Sequence, residues 1–306
     1  MNNNQINCKA IYDRMVENIK ADIEQLGVTP VFYILKGEEN YGSNIYMNLK
    51  VKTAEECGIV AYIKEILPDE VRDKYIKDKY NSDDYWRLKD EDRIKLFNDG
   101  YIDYGVAILQ LPASEKMISR FEDDFADVDY LNNYTLFNII ENTYKEYEIP
   151  ATARGTITVL EEELGNLSGK KIAIVGCRSE TVGKYLSYML LNKNATVSLY
   201  HSKSIIKDGE FENYDAVVSC VGKAGLISQK HFGNKKGCIC IDIGVSRGDD
   251  GKVKGDFDID IREHQRFTPY VNGMGLLTRI FLMASVIGKY MPDKILMITD
   301  NGIKYI

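Results

Sequence analysis

The sequence predicts an α/β protein of two domains built on parallel strands, and three observations carry that reading. The chain has 306 residues, about twice the roughly 150 that one domain commonly holds. Short apolar runs alternate with helix-length segments, and strands separated by helices pair parallel through right-handed crossovers. From Lys170 onward the pattern sharpens into four continuous apolar runs: KKIAIVG (170–176), ATVSLYH (195–201), YDAVVSCVG (214–222) and GCICIDIG (237–244). Runs without a polar face predict strands buried on both sides, as in a doubly wound sheet.

The elements follow in order. Residues 6–26 carry Ile11, Met15, Ile19 and Ile23 at every fourth position, one face of a helix that Gly27 stops. VFYIL (31–35) is a short strand. Ser43 is the expected N-cap of a helix running to about Cys57, with Gly58 just past its end. A second strand spans 59–66 and a third, YGVAILQL, 104–111. Between them, residues 69–99 mix Asp, Lys, Glu and Arg around Trp86, the composition of a solvated helical face. The acidic cluster Glu122, Asp123, Asp124, Asp127 and Asp129 has no histidine and no EF-hand spacing, so a solvated loop is expected for most of it and no metal. A domain boundary is expected near Pro150. Residues 280–291 form an apolar helix long enough to pack back on the first domain.

Composition narrows the partners. Lys plus Arg number 39 against 46 Asp plus Glu, a net charge of −7. This argues against nucleic acid and anionic lipid as partners, since both need dense positive charge. The run 280–288 is about half of the roughly 20 residues a membrane span needs, and the first residues lack the basic and apolar pattern of a secretory signal. Six cysteines (Cys8, Cys57, Cys177, Cys220, Cys238, Cys240) form no CxxC pair. Buried free thiols in a reducing compartment are expected, hence a soluble, cytoplasmic protein.

Two clusters could carry chemistry. Gly176, Cys177, Arg178, Ser179 and then Val182-Gly183 place a glycine-bearing turn between a buried strand and a helix. There backbone N–H groups at a helix N-terminus can bind phosphate. Arg178 occupies the second glycine position of GxGxxG, and Tyr185 replaces the Ser/Thr of a Walker A loop, so a merely tight turn stays open as the alternative. NAD-selective folds put an acid at the end of the second strand. This chain has Tyr200, His201, Ser202 and Lys203 there, which with Arg178 suit a 2′-phosphate. NADP is therefore the expected cofactor, with NAD possible. The bland alternative makes Lys203 a surface charge and His201 a hydrogen-bonded strand end. The second cluster is Tyr46 and Lys50, four apart on the Ser43 helix and so on one face. A phenol beside a desolvated amine can move protons; alone, such a pair is usually a lysine snorkelling over a ring.

The stretch SNIYMNLKVKTAEECGI (43–59) resembles the S-x-x-Y-V-x-x-K-x-K…G-I signature of the methylenetetrahydrofolate dehydrogenase/methenyltetrahydrofolate cyclohydrolase family. The likeness continues in order down nearly the whole chain. VAILQLP (106–112) is similar to G-I-L-V-Q-L-P, and ADVDY (126–130) to K-D-V-D-G. Pro150, Thr152 and Gly155 match P-C-T-P-x-G, while CRSETVG (177–183) is similar to G-R-S-x-x-V-G. ATVSLYHSKS (195–204) resembles A-T-V-T-x-C-H-S-x-T. CIDIGVSR with GDFD, which holds Asp256, resembles V-I-D-V-G-I-N and G-D-V-D, and TPYVNGMGLLT (268–278) resembles T-P-V-P-G-G-V-G-P-M-T.

The resemblance implies two α/β domains around a cleft: a folate-binding catalytic domain, 1–149 plus 283–306, and a Rossmann-like NAD(P)-binding domain, 150–282. It implies Lys50 as the catalytic residue, Tyr46 stacking on the folate, and Gln110 and Asp129 completing the pterin site. Gly273 lies on the substrate side. Gly176, Cys177, Arg178, Ser179, His201, Ser202, Val221 and Gly222 would hold the cofactor. The implied activity is NADP-dependent oxidation of 5,10-methylenetetrahydrofolate followed by hydrolysis to 10-formyltetrahydrofolate, in a homodimer. A cyclohydrolase that has lost the dehydrogenase step, or a non-catalytic binding paralogue, are the alternatives. The chain departs from the pattern at Val271, Asn272 and Leu276, which replace two prolines and a glycine, and at the bulkier Tyr270 and Met274. Cys177 replaces the first-turn glycine, Tyr185 a proline, Ala113 a leucine, and Ala151 and Ala153 a cysteine and a proline.

Overall fold

The computed structural model describes residues 4–38, 41–65, 106–115, 117, 118, 121, 126–247, 253–290, 296–299 and 302–305. The charged segment 69–99 with Trp86 lies outside these residues, as do Ile66, Tyr104, Glu122, Asp123, Asp124 and Met291. The chain divides into two compact units: Met1–Ala21, Asp129–Gly288 and Pro292–Ile306 form the first, and Asp22–Val128 with Lys289–Met291 the second.

Helix α1 (Cys8–Leu26) follows the fourfold spacing: Ile11, Met15 and Ile19 are buried, with Cys8, Tyr12 and Val16 beside them. Gly27, at φ 65°, ends it. In the second unit, β1 (Val31–Lys36) leads through α2 (Tyr41–Cys57) to β2 (Val60–Glu65), and β3 (Val106–Gln110) and β4 (Ala126–Asp127) follow. They form one parallel sheet of order β2-β1-β3-β4. Helix α2 begins two residues before Ser43, so Ser43 is not its N-cap. Its hydroxyl instead donates to Leu111 O at 3.0 Å, and a side chain committed to the loop after β3 cannot also cap the helix.

The first unit contains α3 (Asn133–Ile140), α4 (Ala151–Leu164), β5 (Lys171–Val175), α5 (Gly183–Asn192), β6 (Thr196–Tyr200), β7 (Ala216–Ser219) and β8 (Ile239–Asp242). The antiparallel pair β9 (Val245–Arg247) and β10 (Val253–Gly255) follows, then β11 (Arg266–Phe267) and α6 (Met274–Tyr290), whose last two residues fall in the second unit. The sheet is parallel with order β11-β8-β7-β5-β6. Counted from β5, this is the 2-1-3-4-5 order of doubly wound sheets. Ligands bind such sheets at the carboxyl ends of the two strands where the winding reverses, here β5 and β7. The expectation of burial on both faces holds for β7 and β8 and fails for β6. That strand is the sheet edge, and Leu199 is 51% exposed.

Helix α4 is buried from Ala151 to Leu160 except Thr152. Its Gly155 permits close approach of α6, since an added Cβ would lie 3.2 Å from Phe281 and 3.3 Å from Leu277. Helix α6 starts at Met274, six residues before the expected 280, because the Gly273 carbonyl already accepts the Leu276 and Leu277 N–H groups. The hairpin of β12 (Leu296–Thr299) and β13 (Gly302–Tyr305) was not foreseen from the sequence. Residues 4–6 extend the large sheet beyond β11: Ile6 N–H donates to Phe267 O and Phe267 N–H to Asn4 O, at 2.9 and 3.0 Å. Among the described residues no helix is long and apolar enough to cross a membrane, and no group of three His, Cys, Asp or Glu is placed to hold a metal. All six cysteines are free thiols.

Candidate active site

In the second unit, α2 and β3 bring two of the expected residues together. Lys50 is buried to 9% exposure and its Nζ donates to Gln110 Oε1 at 2.7 Å. Gln110 Nε2 donates to Leu111 O at 3.0 Å, so the amide is held with its oxygen toward the ammonium. The amide oxygen is a neutral acceptor that orients the Lys50 amine. Tyr46, one turn earlier on α2, is 45% exposed. Gly37, which sequence reasoning missed, makes the arrangement possible. A Cβ there would lie 2.1 Å from Pro112 O and 2.2 Å from Gln110 O, so only glycine lets the end of β1 lie against the end of β3. A glycine directly after a strand was the available signal. Asp129, half-buried, follows Val128, whose N–H donates to Ala107 O on β3 at 3.1 Å.

In the first unit, the turn after β5 lies at the reversal point of the sheet. Gly176 has φ 96°, and a Cβ on it would meet Cys220 O at 2.9 Å, so the loops after β5 and β7 touch there. The Gly176 and Cys177 N–H groups donate to Tyr200 O. Gly183 opens α5 against the same turn: an added Cβ would lie 2.3 Å from Gly176 O. No side chain caps the start of α5, which leaves that end of the helix suited to an anion. Arg178 is exposed, and the Ser179 and Thr181 hydroxyls are 3.3 Å apart. His201 Nδ1 accepts the Lys203 N–H at 3.1 Å, and the His201 N–H donates to Ser204 Oγ. The imidazole thus shapes the turn that presents Ser202 and Lys203.

Past β7, Val221 is 45% exposed and Gly222 has φ 78°. Beneath them lies a pair of buried carboxylates whose part the sequence did not disclose. Asp256 accepts the Ser219 hydroxyl and the Val221 and Lys223 N–H groups, at 2.7, 2.8 and 2.7 Å. Asp242 accepts the Asp256 and Phe257 N–H groups, at 3.0 and 3.2 Å. Burial pushes the Asp242 carboxyl up to about 7; its backbone donors oppose the rise and the Asp256 charge adds to it. Asp242 inside the apolar run GCICIDIG was the available signal, because a buried charge must find partners. In the loop before α6, Asn272 takes φ 58°, a conformation Asn tolerates better than most side chains. Gly273 leaves no room for a Cβ, which would lie 1.8 Å from Pro269 O. The Tyr270 hydroxyl donates to Phe257 O at 2.5 Å, with Arg262 over its ring.

Comparison with known proteins adds three findings. Residues 150–293 match the family model for the tetrahydrofolate dehydrogenase/cyclohydrolase NAD(P)-binding domain. The bifunctional protein FolD of Thermotoga maritima is 32% identical over 287 residues, 92% of this chain and 96% of its own. Among solved structures, the bifunctional methylenetetrahydrofolate dehydrogenase/cyclohydrolase of Campylobacter jejuni superposes with a TM-score of 0.73 at 24% identity, covering 94% of this chain and 98% of its own. The Trypanosoma brucei enzyme, solved with NADP and an inhibitor, gives 0.72 at 21% identity, covering 93% and 95%.

Proposed function

We infer the function from kinship: the chain belongs to the methylenetetrahydrofolate dehydrogenase/methenyltetrahydrofolate cyclohydrolase family. It is a bifunctional enzyme of folate one-carbon metabolism that oxidises 5,10-methylenetetrahydrofolate to the methenyl form with NADP and hydrolyses the product to 10-formyltetrahydrofolate. The observation that carries the hydrolytic half at residue level is the buried Lys50 ammonium on the Gln110 amide. In our reading, water adds to the electrophilic amidinium carbon, a ring C–N bond breaks, and one proton is released. Of the two protons of the attacking water, one is the proton released and Lys50 relays the other from the attacking oxygen to the departing nitrogen. Gln110 and Asp129 bind the pterin edge, Tyr46 stacks on the ring, and Gly273 lines the substrate side.

The dinucleotide fits the first unit, where a glycine-forced turn at the sheet reversal meets a helix start without a side-chain cap. Gly176, Cys177, Arg178 and Ser179 would hold its phosphates, with Arg178, His201 and Ser202 nearest a 2′-phosphate and Val221 and Gly222 beside the ribose–nicotinamide end. When bound, NADP accepts the hydride from the methylene carbon. Functionally we assign residues 1–149 plus 283–306 to folate and 150–282 to the dinucleotide. A homodimer is part of the proposal. It is supported by exposed apolar side chains on α3 (Tyr134, Phe137), α5 (Leu191) and the edge strand β6 (Leu199), which a second copy would cover. Free thiols support a cytoplasmic location.

Methenyl hydrolysis and NADP reduction measured on one preparation, with NAD in parallel, test the reading. Both activities, with NADP preferred, are expected. Hydrolysis alone would mean the dehydrogenase step is lost, and neither activity would leave a binding protein.

A further inference from the structure

We propose that Asp256 is a positioning residue for the dehydrogenase step: its buried carboxylate fixes the peptide planes of the turn after β7 so that this turn receives the dinucleotide. The proposal rests on the reading of Val221 and Gly222 as cofactor-binding residues. Asp256 is fully buried, yet three donors from one short segment converge on it: the Ser219 hydroxyl and the Val221 and Lys223 N–H groups. Asp256 is itself clamped. Its N–H donates to Asp242, its carbonyl accepts the Ile227 N–H at 3.0 Å, and its carboxylate fills the space where a side chain at Gly244 would sit, 2.0 Å from an added Cβ. Space alone does not explain the acid, because an apolar residue of similar size fills a buried site at lower cost than a carboxylate.

What a carboxylate adds is orientation. A trans peptide sets each carbonyl opposite its N–H. With the Val221 N–H turned down onto Asp256, the Cys220 carbonyl must face the other way, and it lies against Gly176 of the phosphate turn. With the Lys223 N–H held in the same manner, the Gly222 carbonyl is directed away from the carboxylate. The turn therefore offers an acceptor outward. That suits donor groups of the dinucleotide, a ribose hydroxyl or a carboxamide N–H, rather than its phosphates.

Asp256→Asn tests this. The amide keeps the size but can satisfy at most part of the donor set and turns an N–H2 on the rest. Hydrogen bonds to charged groups are worth enough that losing one misorients the turn by about tenfold or more in affinity. The expected result is a tenfold or greater rise in the KM for NADP, with methenyl hydrolysis on the same preparation within about twofold of wild type. Amide exchange at Val221 and Lys223 should also accelerate. An unchanged KM for NADP in a folded variant, or an equal fall in both activities, overturns the proposal. If Asp256→Asn does not fold, Ser219→Ala removes one of the three donors. It should raise the KM for NADP to a lesser degree and spare hydrolysis, and an unchanged KM overturns the proposal there too. A wild-type chain that reduces no NADP overturns the functional reading instead, and exchange at Val221 and Lys223 then still decides whether Asp256 holds the turn.

Discussion

Lys50 holds an ammonium at 9% exposure against an amide oxygen, so its charge is desolvated and oriented at once. Lys50→Met keeps the length and helix propensity of the side chain while removing the charge. We expect cyclohydrolase activity to fall about a hundredfold or more, with folate binding retained through Tyr46, Gln110 and Asp129. Near-wild-type hydrolysis by the folded variant would remove Lys50 from the mechanism. Tyr46 and Lys50 were legible in the sequence because helical spacing puts them on one face, and Gln110 only through the likeness of VAILQLP to the family's G-I-L-V-Q-L-P. Asp242 and Asp256 were not. Their partners lie 14 to 37 positions away, and no local periodicity reports a pairing at that range.

Among elements, the junction of β5 with α5 tolerates least. A methyl at Gly183 would overlap the backbone, at 2.3 Å from Gly176 O and 2.8 Å from the Cys177 carbonyl carbon, and backbone cannot swing aside as a flexible side chain can. Gly183→Ala should therefore lower stability by about 1–3 kcal/mol and weaken NADP binding while sparing hydrolysis. Gly275→Ala on α6 is the control. Nothing lies within 4 Å of a Cβ there, and the change should be neutral or gain up to about 1 kcal/mol. Thermal unfolding of the two variants checks both, and equal melting temperatures would sink the argument. The apolar runs located β5 to β8 in the sequence, because a strand needs only a handful of residues to declare itself. They could not tell that β6 is the edge, since a strand's neighbours are fixed by winding and not by its own composition. The early start of α6 escaped for a related reason: the glycines at 273 and 275 read as loop.

For the molecule as a whole, Asp242 ties stability to pH. Its carboxyl is raised from 3.8 to about 7, chiefly by burial, so the folded chain binds this proton more tightly than the unfolded chain does. The Asp242 contribution to stability is therefore full below about pH 4, falls as pH rises, by up to about 1.4 kcal/mol per unit, and levels off above about pH 7. Urea unfolding of wild type and Asp242→Asn across pH 4 to 8 should show the variant losing this slope. Parallel profiles would refute it.

The pairing of residues 4–6 with β11 has a consequence in time. Asn4 Nδ2 donates to Arg262 O, a separation of 258 residues, and its backbone carbonyl meets Phe267. At a synthesis rate of roughly 5 to 20 residues per second, the partner leaves the ribosome roughly 13 to 50 s after the segment that waits for it. Throughout that interval the segment 4–6 has emerged while the strand it pairs with has not. A nascent chain must therefore leave the Asn4 carbonyl and the Ile6 N–H to water for most of its translation, and this pairing closes only near its end.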